Sequence, residues 1–223
     1  MNITNEKVTD YIVSFYQPWN DTMRKLRAQS EADQIPLILK ETEMLFRTLL
    51  PLRPVHRVLE IGTAYGYSSI FFAHILPESR ITTVELSDTN YQVAVDNIWE
   101  QGLTDRIQVI HGDGSVVLEE LIQDAEVGNA EPFDLIFIDA AKSHYMEFFE
   151  KAEKLCSKDA LIVCDNILMK AFLVDSSLDR KRRHRTSVKR MNEFLEYVHS
   201  RADLEVSLLS CGDGLLLIKE NKK

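Results

Sequence analysis

The spacing of apolar residues changes period at about Pro54. Before it, Val8, Ile12 and Phe15 fall on one helical face, and Leu37, Thr42, Leu45 and Leu49 on another, with Pro18 and Pro36 as breaks. After it, short apolar runs alternate with amphipathic stretches. Arg57–Ile61, Ile81–Glu85, Ile107–His111, Phe133–Ile138 and Ala160–Cys164 read as strands, with helices over Ser68–Leu76, Asp88–Gln101, Ser115–Gln123 and His144–Leu155 between them. Strand and helix in alternation give βαβ units, hence a parallel, doubly wound α/β sheet with right-handed crossovers. The carboxyl-terminal runs Leu204–Leu209 and Leu215–Lys219 flank Ser-Cys-Gly212-Asp213-Gly214, a turn that closes the sheet with a hairpin. The expected organisation is one domain over residues 1–223, with a helical cap over 1–54 and the α/β core over 55–223.

Composition agrees with one core of that size: 223 residues, 45% hydrophobic and 27% charged. The net charge of −9 gives no overall pull toward polyanions, so any such partner must find a local basic patch. Cys156, Cys164 and Cys211 lack metal-site spacing and read as reduced thiols, which points to the cytoplasm. Residues 1–9 carry no apolar signal core, and no run is long enough to span a bilayer.

The chemistry gathers where strands end, which in an open α/β sheet is where ligands bind. Two apolar runs end in acid, at Asp139 and at Asp165-Asn166, and Lys142 follows the first by three residues. The oxygens of Asp139, Asp165 and Asn166 suit a hard divalent cation; each acid alone would read as a helix cap or turn former. The turn Glu60-Ile-Gly62-Thr-Ala-Tyr-Gly66-Tyr-Ser68 lets backbone approach a ligand, but Ala64 and Tyr67 break a dinucleotide fingerprint, and no Gly-Lys-Ser/Thr completes a phosphate loop. Glu60 suits an ammonium and Ser68 a carboxylate, together an amino acid head. Glu85 can accept from ribose hydroxyls. Asp113 can accept from an adenine amino group, with Gly114 leaving space for the ring. Ammonium, carboxylate, ribose and adenine together spell S-adenosylmethionine.

These motifs, with Ile35-Pro36-Leu37-Ile38, Phe137 to Lys142, Asp165 to Leu168 and Gly212 to Leu215, resemble the metal-dependent class I S-adenosylmethionine O-methyltransferases. That family includes catechol and caffeoyl-coenzyme A enzymes, and within it the chain looks most like the bacterial tRNA 5-hydroxyuridine methyltransferases. The resemblance implies a Rossmann-like, mostly parallel seven-stranded sheet and a homodimer joined through the amino-terminal helices. It implies S-adenosylmethionine held by Ile38, Glu60, Gly62, Ser68, Glu85, Asp113, Gly114 and Asp139. Magnesium would be bound by Asp139, Asp165 and Asn166, with Lys142 and Asp139 catalytic and Lys142 either base or electrostatic partner. The acceptor it implies is 5-hydroxyuridine at the tRNA wobble position, giving 5-methoxyuridine.

The run Arg180, Lys181, Arg182, Arg183 and Arg185, with Lys189 and Arg190 beyond, could hold tRNA phosphates; it otherwise reads as a solvated helix start. A coenzyme A thioester would use it equally well. The same chemistry on a catechol or caffeoyl-CoA-like molecule is therefore the alternative. An NAD-dependent oxidoreductase or a noncatalytic nucleotide-binding module is a distant third, disfavoured by the glycine turn and the metal trio.

Overall fold

A computed structural model describes residues 5–179 and 183–221. Three helices lead: α1 (Glu6–Val13), α2 (Asp21–Ala32) and α3 (Lys40–Leu49). Asn5 and Asn20 start the first two by accepting backbone N–H groups of Lys7 and Met23. The core then alternates β1 (Arg57–Ile61), α4 (Tyr67–Ile75), β2 (Arg80–Glu85), α5 (Asp88–Glu100), β3 (Ile107–His111), α6 (Gly114–Glu126), β4 (Phe133–Ile138), α7 (Tyr145–Glu153) and β5 (Cys156–Cys164). It closes with α8 (Arg185–Ser200), β6 (Leu204–Leu209) and β7 (Leu215–Glu220).

The seven strands lie in the order β3-β2-β1-β4-β5-β7-β6. Strands β1 to β5 are parallel, and β7 enters antiparallel between β5 and β6. The chain winds outward from β1 to β3, then returns to β4. That reversal makes the carboxyl ends of β1 and β4 the point where such sheets open to a ligand.

Side chains alternate between two apolar layers. Leu59, Ile61, Ile136, Ile138 and Ile162 pack toward α6, α7 and α8 with Val117, Phe149 and Phe194. Val58, Leu135, Phe137 and Val163 pack toward α2, α3 and α4 with Met23, Phe46 and Phe72.

Two expectations needed correction, and a third element forms where expected. Strand β5 begins at Cys156, four residues before Ala160, because Cys156 pairs with Phe133 ahead of an irregularity in the β4–β5 ladder. The second amino-terminal helix of the pattern starts only at Lys40, since Ile35 to Leu39 run as a non-helical segment after Gln34, whose φ is 58°. Helix α1 forms at the expected place but buries none of its residues; Val8, Tyr11, Ile12 and Phe15 are exposed.

Candidate active site

One cavity of about 1090 Å³ opens at the carboxyl ends of the parallel strands. Its walls come from every strand-to-helix turn: Ile61 to Ser68 after β1, Glu85 after β2, Asp113 and Gly114 after β3, Asp139 to Lys142 after β4, and Asn166 after β5. The segment Ile35 to Leu39 closes one side, and Asp213 of the β6–β7 turn joins from the far side.

At the glycine turn the requirement is steric. Gly62 has φ 101°, and a Cβ there would stand 2.2 Å from the carbonyl oxygen of Asp139. Only glycine lets the β1 and β4 loops touch. Gly66, with φ 81°, caps α4, so that Ser68 in the first turn faces the cavity.

Glu60 does not reach the cavity, contrary to the expectation of an ammonium contact. It occupies the same strand face as Val58, opposite Thr83 in the β1–β2 register, and is fully buried beneath α4. Its Oε2 accepts from the hydroxyls of Ser69 and Thr83, while Oε1 has no partner. Burial pushes its pKa up to about 7 against the pull of Ser68, Ser69 and Thr83, and Asp139 adds to the rise.

Glu85 lines the cavity as expected, and both its oxygens also organise backbone. Oε2 accepts from Ala64 N–H and Oε1 from Ser87 N–H, each at 2.8 Å. Each oxygen keeps a further lone pair for a ligand hydroxyl. Asp113 combines the two readings available to it: it caps α6, accepting from Ser115 N–H at 2.8 Å, and it lines the cavity. At Gly114 an added Cβ would meet Ile61 and Phe148 at 3.2 Å, so the glycine lets the β3 turn pack close to the Phe148 ring in the cavity wall. Ile38 is almost fully buried and forms part of the wall.

The acidic strand ends come together around Lys142. Its ammonium donates to Asp139 Oδ1 at 2.9 Å, Asn166 Oδ1 at 2.8 Å and the Tyr145 hydroxyl at 2.9 Å. All three ammonium hydrogens are engaged. Asp165 stands behind this group rather than in the cavity wall: it is 1% exposed, its Oδ1 accepts from Asn166 N–H at 2.6 Å, and its Oδ2 is buried without a partner. Burial raises its pKa to about 7, and Asp139 pushes the same way.

The donor chemistry fits a hard cation. Asp139, Asp165 and Asn166 offer carboxylate and amide oxygens, Asp165 keeps a buried oxygen unsatisfied, and the mutual repulsion of the two acids would fall with a positive ion between them. Among the described residues no group of three His, Cys, Asp or Glu side chains is placed to hold a metal, so a site here would count the Asn166 amide oxygen beside the two acids.

Sequence reasoning missed several neighbours of this group. Tyr145 is fully buried; its hydroxyl takes the Lys142 bond and donates to the Asp165 carbonyl at 2.8 Å. Its phenol is raised well above its ordinary value by burial, with Asp139 next. Asp213, read only as a turn residue, lines the cavity and accepts from Lys170 N–H at 2.6 Å, fastening the loop after β5. Burial raises its pKa. The signal was present in Asp213, a charged residue between two glycines beside a core strand. Phe172 and His184 also line the cavity and stack at 5.1 Å.

Arg180, Lys181 and Arg182 lie outside the described residues. Arg183 and Arg185 are exposed at the start of α8. Asp179 accepts from the backbone N–H groups of Arg183 and His184, and His184 lines the cavity.

Residues 14–221 match the family profile described as O-methyltransferase. The chain is 38% identical over 121 residues to a catechol O-methyltransferase of Niastella koreensis, covering 54% of this chain and 53% of that protein, about half its length. It is 30% identical over 176 residues to caffeoyl-CoA O-methyltransferase 1 of Eucalyptus globulus, covering 77% of this chain and 69% of that protein. Among solved structures, an O-methyltransferase of Bacillus cereus in complex with SAH superposes with a TM-score of 0.81 at 26% identity, covering 96% of this chain and 97% of that one.

Proposed function

The chain belongs to the O-methyltransferase family, whose relatives and structural neighbours are S-adenosylmethionine-dependent enzymes, and we propose that it methylates a hydroxyl lying beside a second oxygen on a planar acceptor of the catechol or caffeoyl-CoA type. The carrying observation is the convergence of Asp139, Asp165, Asn166 and Lys142 beside a cavity whose other end has the features an adenosyl group needs. S-adenosylmethionine would lie with its adenine beside Asp113, Gly114 and Phe148, its ribose at Glu85, and its methionine portion against Gly62, Ser68 and Ile38.

Asp139, Asp165 and Asn166 would hold a magnesium ion, and the chemistry it would supply there is Lewis acidity toward the acceptor hydroxyl. The chain's own part is orientation and charge. Gly62 brings the β1 turn against Asp139, so cofactor and acceptor share one cavity. Lys142, fixed by Asp139, Asn166 and Tyr145, is a positive charge at the point where the hydroxyl loses its proton; its ammonium has no lone pair, so it can take that proton only after giving away one of its own three. Phe172 and His184 offer a stacked rim against which a planar ring can pack.

The names of the relatives favour this small aromatic acceptor over tRNA. One observation keeps 5-hydroxyuridine of the tRNA wobble position as a second reading: Arg183 and Arg185 flank His184 at the cavity rim, where an RNA backbone could lie while its base, with a 5-hydroxyl beside the C4 carbonyl, enters.

The test compares a catechol with the matching monophenol, with magnesium and after exhaustive chelation. Methylation of the catechol alone, abolished by chelation, is expected; equal turnover of the monophenol, or full activity without metal, would end this reading. Loss of 5-methoxyuridine from tRNA in cells lacking the gene, with no catechol activity in the purified protein, would put the second reading first.

A further inference from the structure

Outside the strand ends, the most completely buried charges are Arg27 of α2, 6% exposed, and Glu43 of α3, fully buried. Arg27 Nη2 donates to Glu43 Oε2 at 2.7 Å and to the Ile38 carbonyl at 3.0 Å, and its Nε donates to the Tyr67 hydroxyl at 3.1 Å. The hydroxyls of Tyr67 and Tyr16 donate to the same Glu43 oxygen at 2.7 and 2.8 Å. The guanidinium also lies over the Tyr67 ring, 4.6 Å from its centre.

Stability alone is a poor reason for such a pair. Desolvating two charges offsets most of their attraction, and apolar residues of similar volume commonly serve as well. What the pair does uniquely is geometric. A guanidinium has a planar fork of donors, and here it adds the backbone of the Ile35 to Leu39 segment to the direct bond between the α3 carboxylate and Tyr67, the first residue of α4. Both ends of that tie line the cavity, through Ile38 and Tyr67. The non-helical segment 35–39 has no sheet ladder to hold it, and the Arg27 bond to its Ile38 carbonyl fixes it from behind.

We infer that Arg27, oriented by Glu43, is a positioning residue for the cofactor: it touches no ligand but sets the Ile38 wall and the amino end of α4 against the S-adenosylmethionine methionine portion. The inference rests on the assignment of this cavity to S-adenosylmethionine. It makes the amino-terminal helices part of the cofactor site, although none of their own side chains except Ser30 lines the cavity.

The test separates positioning from folding. Arg27→Met alone leaves Glu43 buried and unpaired and should melt early. Arg27→Met with Glu43→Gln removes both charges and should recover most of the melting temperature, yet bind S-adenosylmethionine about tenfold more weakly, the scale of a lost hydrogen bond to a charged group. The acceptor KM and the kcat at saturating cofactor should stay near wild type. Arg27→Lys is the second variant: an ammonium can pair with Glu43 but cannot also span Ile38 and Tyr67, so melting should be near normal with cofactor binding several-fold weaker. Either variant folding normally with wild-type cofactor affinity by calorimetry, or the acceptor KM rising in step with the cofactor's, overturns the inference. If the wild-type protein itself binds no S-adenosylmethionine, the cofactor assignment falls, and this inference with it.

Discussion

Asp165 and Glu60 are carboxyls whose pKa burial raises, each to about 7. Their folded values lie above the ordinary 3.8 and 4.5, so what they contribute to stability is fully present below about pH 4 and is lost as pH rises through about 7. Metal-free protein in EDTA should therefore melt at lower temperature at pH 8 than at pH 6, and Asp165→Asn should reduce that slope. A variant whose melting curve tracks wild type across this range would refute the burial argument. Magnesium should restore melting temperature more at pH 8 than at pH 6, because below 7 it must displace a proton from Asp165. The single residue is also where sequence reading fails most plainly. Asp139, Asn166 and Lys142 were legible because strand ends are fixed by the apolar run that precedes them. Glu60 was misplaced because it was read by its distance from the glycine turn, when the period of two along β1 had already turned it toward Thr83 and α4. Tyr145 was invisible, since nothing in its local spacing reports a bond to a carbonyl twenty residues on.

At the scale of elements, the turn after β1 is the most exacting piece. Gly62→Ala and Gly128→Ala both place a side chain at positive φ, 101° and 77°, but only the first meets anything: Asp139 O at 2.2 Å, against open space at Gly128. Gly128→Ala should cost roughly 1 kcal/mol of stability. Gly62→Ala should cost clearly more and lose cofactor binding, since the β1 and β4 loops must part; similar melting temperatures for the two would show that backbone strain, not the close approach, sets the requirement. Helix α1 carries a different expectation. Its exposed Val8, Tyr11 and Ile12, with Phe15 just beyond it, have no cover among the described residues, and the homodimer implied by the resemblance would supply it. Tyr11→Ser with Phe15→Ser should then shift the protein toward monomer in sedimentation, and an unchanged mass would remove α1 from any interface. Elements were more legible than residues because each strand and helix is specified by many positions at once. Where an element departed, as at the start of β5, the polar Ser157, Lys158 and Asp159 hid a strand end defined only by pairing with β4.

The whole molecule carries a net charge of −9, yet the rim beside His184 is locally basic. Lys189 is paired with Glu193 at 3.5 Å and Arg190 reaches the Ser143 carbonyl at 3.2 Å, whereas no hydrogen bond or ion pair holds the side chains of Arg183 and Arg185 among the described residues. Salt separates an uncharged catechol from a phosphate-bearing acceptor at this scale, a coenzyme A thioester falling with tRNA. A small neutral catechol makes no phosphate contact, so its KM should change by less than about twofold between 50 and 200 mM salt, where counterion release would weaken a polyanion many-fold. Arg183→Ala with Arg185→Ala should likewise leave the catechol KM alone. If tRNA is instead the acceptor, its KM should climb steeply with salt, and the double replacement should weaken it while flattening that dependence by about one unit of slope per lost phosphate contact. A catechol KM that itself rises with salt and with loss of the two arginines would contradict an uncharged acceptor that makes no contact with these cations.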